Sequence, residues 1–251
     1  MLKKRLIAVL ILNEQNVVQS VRFKHTNAIH YDAVHAIDCF NKWSVDEIAI
    51  LNVSRDPDSK KQFSETIKNI CKKCFVPVSA GGWVNETEYA RELFYNGADK
   101  IILNTAFFEN PEFCSNLAKR FGTQSLIASM DVKQDDTQTS VWINRGSKNI
   151  RMAPIDWAKK LVSLGAGEIF FNSIDHDGAR RGYNLEVLNS VCTSVNIPVI
   201  AFGGVFTWTH LLEGFKAGAD AVALANQLHY TEHSAKKAKN FLLNSGISMR
   251  N

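Results

Sequence analysis

Two Gly-Gly pairs, Gly81-Gly82 and Gly203-Gly204, each follow a short run that opens with proline, PVSA in one place and PVIA in the other. A turn without side chains lets a phosphate oxygen approach backbone N–H groups, and a helix that follows adds the positive end of its dipole. Polar residues end the next apolar run in each case, Asn104 and Thr105 in the first and Asn226 in the second. Two phosphate sites, suiting a ligand with a phosphate at each end, are one reading. Tight turns that need glycine for their backbone angles are the other.

Acid/base chemistry has fewer candidates. Asp131 is the single carboxylate at the end of the run Leu126 to Met130, where partial burial would raise its pKa toward the range useful for proton transfer. The plainer role is to cap the hairpin that follows. Asp177, beside Gly178 in the polar link NSIDHDG, is placed to orient a substrate hydroxyl or a phosphate loop. Arg5, Glu47, Lys100 and Glu168 stand at the opposite ends of their runs, and residue type alone reads them as a salt-bridged plug. Of the seven histidines only His176 and His229 fall near strand ends, and Cys71-Lys72-Lys73-Cys74 has no second pair, so the expected site holds neither metal nor cofactor. The two thiols are expected at a helix end, one buried and one exposed.

A repeat shows what positions these residues. PVSAGGWVNETEYARELFYNGADKIILNT (77–105) returns as PVIAFGGVFTWTHLLEGFKAGADAVALAN (198–226), with Pro77 and Pro198, Gly97 and Gly218, and Asp99 and Asp220 all 121 apart. Leu6-Ile7-Ala8 recurs as Leu126-Ile127-Ala128. Internal repeats outrank local assignments. Each half reads as four strand-helix units, and two halves predict one (β/α)8 barrel over residues 1–251, with the working face at the C-terminal ends of the strands. Helix starts are expected at Asn85, with Glu88 closing a capping box, and at Asn110-Pro111 and Asn184. The link 13–31 is a candidate lid, 140–143 with 149–152 a rim hairpin, 227–230 a short helix, and 232–244 a closing helix. On this alignment the first-half counterpart of Asp131 is Ile11, so a symmetric pair of acid/base carboxylates is absent.

The totals exclude several classes. The 251 residues are 45% hydrophobic and 22% charged, which suits an ordinary globular core and rules out disorder. A net charge of +4 with dispersed basic residues gives no nucleic-acid stripe, though small anionic substrates fit. Five cysteines at 39, 71, 74, 114 and 192 make no disulfide framework. The apolar run near the start is too short to span a membrane and lacks a signal cleavage site, so the expected location is cytoplasmic.

MLKKRLIAVL, GADKIILNTAFFENPEF, GAGEIFFNSIDHDGARRGYN, PVIAFGGV and LHY occur in an order that resembles the cyclase subunit of imidazole glycerol phosphate synthase over essentially the whole chain. The resemblance implies a barrel that binds a two-phosphate ribulosyl aminoimidazole and pairs with a glutaminase at its bottom, receiving ammonia through its centre. It also implies that Arg5, Glu47, Lys100 and Glu168 gate the ammonia entrance. At the other end the chain departs from that pattern. Ile11 replaces a catalytic Asp, Gln19 a loop lysine, Asn52 an Asp, Trp83 a glycine, Phe202 a serine and Asn226 a phosphate-binding serine. Together with RFKHTNAIHYDAVHAIDCFNKWSVDEI, these departures look like the divergent branch associated with acetamidino modification of surface-polysaccharide sugars, where a separate sugar amidotransferase uses the ammonia. The competing expectations are an active histidine-pathway cyclase and a non-catalytic scaffold that activates a glutaminase.

Overall fold

The computed structural model describes residues 3–42, 44–134, 138–228 and 234–250. The run RLIAVLILN forms β1 (Arg5–Asn13), with Leu6, Ala8, Leu10 and Leu12 on one face and Ile7, Val9 and Ile11 on the other, all buried. Apolar residues on both faces are what a strand covered on both sides requires, because successive Cβ atoms point opposite ways. The chain then doubles back through β2 (Asn16–Val21) and β3 (His25–His30), an antiparallel hairpin paired to the end of β1. The link expected at 13–31 is therefore built of strands. β3 is exposed along most of its length and has no apolar alternation to announce it.

Next come α1 (Ala33–Lys42), β4 (Glu47–Asn52), α2 (Ser59–Cys71), β5 (Val78–Gly81) and α3 (Thr87–Tyr95). The half ends with β6 (Lys100–Leu103), α4 (Thr105–Glu109) and α5 (Pro111–Phe121). The second half holds β7 (Leu126–Gln134), the rim hairpin β8 (Thr139–Ile143) and β9 (Lys148–Asn149), α6 (Pro154–Ser163) and β10 (Glu168–Ser173). It closes with α7 (Leu185–Ser194), β11 (Val199–Phe202), α8 (Trp208–Lys216), β12 (Ala221–Leu224) and α9 (Ser234–Asn244). A 3-10 turn at Asn226–Leu228 occupies the start of the expected short helix. His229, Tyr230 and Glu232 lie outside the described residues.

Local chemistry explains the starts of α5 and α7. The Asn110 side chain accepts from Phe113 N with Pro111 at the first turn, and Asn184 accepts from Val187 N. The capping box expected at Asn85 does not form. α3 starts two residues later behind Glu86, with no side-chain cap, and Asn85 Oδ1 accepts from the Lys60 ammonium instead. α2 places Phe63, Ile67 and Ile70 on one face, each at most 1% exposed. Burial of that size stabilises by about 1.5–3 kcal/mol per side chain.

The strands β1, β4, β5, β6, β7, β10, β11 and β12 run parallel in that order, and β12 returns to β1 to close a (β/α)8 barrel. Its halves keep the same devices 121 residues apart. Asp99 accepts from Val78 N as Asp220 does from Val199 N. Gly97 and Gly218 take φ of 104° and 105° and lie against Cys71 and Cys192. These thiols are packing groups, both half-buried, and burial first of all pushes each pKa up to about 12. Cys74 is also half-buried, so the expected contrast between a buried and an exposed thiol at 71 and 74 is not found. No helix among the described residues is long and apolar enough to cross a membrane.

Candidate functional site

Asp131 points into the barrel near its C-terminal mouth. Its Oδ2 accepts from Asn104 Nδ2 at 3.1 Å, and its Oδ1 accepts from Asn172 Nδ2 and Ser129 Oγ, both at 3.4 Å. Burial outweighs those bonds and, with some help from the charge of Asp177, raises the Asp131 pKa to about 7. β7 continues through Asp131 to pair with β8, so the residue lies within a strand and does not cap the hairpin. A carboxyl group there can hold or release a proton near neutral pH.

Asp177 holds the first hairpin down. Its Oδ2 accepts from Ser20 Oγ at 2.6 Å and from Phe23 N at 3.4 Å, and its carbonyl accepts from Arg22 N. Burial raises its pKa despite these donors. A Cβ on Gly178 would meet the Ser20 carbonyl at 2.8 Å, so glycine is needed for this close approach. Gly203 and Gly204, at φ of 94° and 90°, line a cleft of about 60 Å³ together with Asp177, Gly178 and Asn226. One water needs roughly 10–15 Å³ by the same measure, so the cleft suits one phosphate-sized group. Gln19 and Arg180 also line it. Asn226 has a buried Oδ1 with no protein donor; turning the amide over would offer Nδ2 to an anion.

The first-half set is arranged differently. Trp83 takes φ of 58° where its repeat mate Gly204 takes 90°. Its indole N–H donates to the Ser54 carbonyl at 2.8 Å, and the Arg145 guanidinium sits 4.5 Å from its ring while donating to the same carbonyl at 3.0 Å. Left-handed backbone at a residue other than glycine costs on the order of 1–3 kcal/mol and is held by surrounding contacts such as these. Thr105 Oγ1 accepts from Asn144 N and donates to Asn104 Oδ1, while Asn104 Nδ2 turns to Asp131 and the Ser129 carbonyl. Gly81 and Gly82 back onto Ile102 and Asn52, where a Cβ would approach to 2.7 and 2.4 Å. The Asn104 amide and the Thr105 hydroxyl, expected at one phosphate, are thus engaged within the protein.

Between the ends, the barrel is filled by apolar side chains. Ile7, Val9, Ile102, Ile127 and Phe170 share one cluster, which Ile11, Phe202 and Val18 of β2 extend to the mouth. The Phe202 ring lies 5.0 Å from that of Phe170. Below the cluster, Arg5, Glu47, Lys100 and Glu168 meet in a closed ring. Arg5 bonds Glu47 Oε1 and Glu168 Oε2, both at 2.8 Å; Lys100 bonds Glu47 Oε2 at 3.4 Å and also Glu168 Oε1. Burial alone would raise the Glu168 pKa, but the hydrogen bond and charge of Arg5, then Lys100, bring it below the usual value. Burial also opposes the Arg5 charge, and Glu168 and Glu47 reverse that, so its pKa is raised.

Of the residues singled out by sequence, Gly203, Gly204, Asp177, Gly178 and Asn226 share one cleft, Asp131 joins Asn104, and the four charges join at the other end. Ser129 was missed although its spacing of two from Asp131 puts both on one strand face. Ser20 and Arg145 carried no local signal, since their partners come from distant loops. His176 Nδ1 is 2.8 Å from the Gly182 carbonyl. Among the described residues no group of three or more His, Cys, Asp or Glu is placed to hold a metal.

Fold and site together define a duplicated (β/α)8 barrel with one phosphate-sized cleft and one buried carboxyl group at its mouth. Residues 5–234 match the histidine biosynthesis protein family, and the chain belongs to that family. It is 37% identical over 254 residues to the imidazole glycerol phosphate synthase subunit HisF of Chloroherpeton thalassium, covering all of both chains. The subunit of the same name from Chlorobium phaeovibrioides is 36% identical, again over the whole of both chains. That of Pyrococcus furiosus is 34% identical over 250 residues, covering all of this chain and 99% of the other.

Proposed function

We propose that the protein is the ammonia-channelling subunit of a glutamine amidotransferase complex. In this reading a glutaminase docks around the ring of Arg5, Glu47, Lys100 and Glu168, and ammonia passes up the barrel to be used at or beyond the mouth. The apolar filling supports passage of a neutral molecule, because moving an unpaired ion into such surroundings is far more costly. The acceptor is a surface-polysaccharide sugar, converted to an amidine by a separate sugar amidotransferase. A complete charge ring below an incomplete acid/base pair above carries the proposal.

Asp131 keeps a carboxyl group suited to proton transfer, whereas Ile11, 5% exposed, is packed into the apolar cluster. One positioned acid or base contributes about 10²–10⁴-fold, so loss of one of two leaves ring closure slow by that factor. The second reading is an active cyclase making imidazole glycerol phosphate, favoured by full-length identity to synthase subunits and by the retained cleft at Gly203-Gly204. Expression in a histidine auxotroph lacking its own cyclase subunit separates the two. Failure to rescue, with glutamine hydrolysis in a purified complex and ammonia released or passed on, is the expected result. Rescue would overturn the sugar-amidination reading, and absence of a glutaminase from the complex would overturn channelling.

A further inference from the structure

A second cleft, of about 470 Å³, lies between the β2–β3 hairpin and the loop after β10. It is lined by Val21, Arg22, Lys24 and His25 on one side and by Ala179 and Arg181 on the other, with no carboxylate among them. Arg22, Lys24 and Arg181 are exposed, and among the described residues their side chains have no ion-pair or hydrogen-bond partner. Elsewhere, Lys4, Arg5, Lys60, Lys100, Lys148 and Lys239 each face a carboxylate. Three cations without a carboxylate partner on the walls of one concavity give it a positive potential that suits a multiply charged anion.

The walls are also held in place. Arg22 N donates to the Asp177 carbonyl and Phe23 N to its carboxylate, which ties the hairpin to the opposite loop. Arg22, Phe23 and Arg180 take φ of 52°, 58° and 60°, a backbone state that residues other than glycine keep only where neighbours enforce it. A concave site of this volume is in the usual range for a small organic ligand, about 300–1,000 Å³, and a lone phosphate would leave most of it empty. Arginine forks on both walls match adjacent phosphate groups.

We infer that this cleft binds a pyrophosphate-bearing small molecule, of the nucleoside diphosphate class. The site is separate from the cleft at Gly203-Gly204, and the inference does not depend on the ammonia reading. Calorimetric titration of the full chain with inorganic pyrophosphate and with uridine diphosphate tests it, at low and at high salt. Both probes are expected to bind, more weakly as salt rises, with uridine diphosphate the tighter. Arg181→Gln and Lys24→Gln are each expected to weaken binding about tenfold, the usual size of a lost charge-assisted contact. Both side chains are exposed, so unchanged melting temperatures confirm that the variants fold. No binding to the parent chain overturns the inference. So does binding that survives both substitutions but is lost in Gly204→Ala, which would place the ligand in the smaller cleft.

Discussion

Asp131 is where a single residue most directly couples protonation to stability. Its folded pKa of about 7 lies above the ~3.9 of an unfolded aspartate, so between these values the folded state holds a proton that the unfolded state lacks. Its contribution is therefore present in full below about pH 4 and is lost as pH rises through about 7. Asp131→Asn removes that loss. The melting temperature of the variant relative to the parent should climb between pH 5 and pH 8, and a difference independent of pH would show that the carboxyl group is not held protonated. The residue's importance was legible from its place at the end of an apolar run. Ser129 shares its strand, but Asn104, just after β6, and Asn172 of β10 come within reach only in the closed barrel.

At the scale of elements, the β2–β3 hairpin decides what the mouth is. Val18 joins the inner apolar cluster, and Ser20, Arg22 and Phe23 are tied to Asp177. Phe23 also approaches the rim hairpin, since a Cβ on Gly146 would lie 3.3 Å from its ring. Asp177→Ala removes two bonds from the hairpin without touching a barrel strand. Limited proteolysis within residues 22–24 should then accelerate about tenfold, equivalent to ~1.4 kcal/mol of local opening, while the main unfolding transition moves little. Equal cleavage of parent and variant would show that the hairpin is held by its strand pairing alone. These contacts were hidden in the sequence, where 13–31 reads as a link. β3 faces solvent, and the hydrogen bond between Ser20 and Asp177 spans 157 positions.

The whole molecule is a two-fold chassis, and this was the most legible property of all, because the strand-helix-strand echo between 77–105 and 198–226 fixes register as well as fold. Gly97 and Gly218 allow a direct test of how alike the halves remain. Alanine at a left-handed position costs ~1–2 kcal/mol in either half. At Gly97 the added Cβ would also stand 2.7 Å from Cys71 Cβ, against 3.1 Å from Cys192 Cβ at Gly218. Denaturant unfolding should find Gly97→Ala less stable than Gly218→Ala; the reverse order would mean that α2 yields more readily than α7. The mouth, by contrast, has lost the symmetry of its support. The loops at Gly82-Trp83 and Gly203-Gly204 share their backbone twist, yet one carries an indole pinned by Arg145 and the other an open cleft. An elongated molecule with like ends would have met two like anchors in the ancestral repeat and could have lain either way round. If the cleft holds one phosphate, as proposed, such a molecule would meet one anchor and one wall, and the barrel would impose a direction on it.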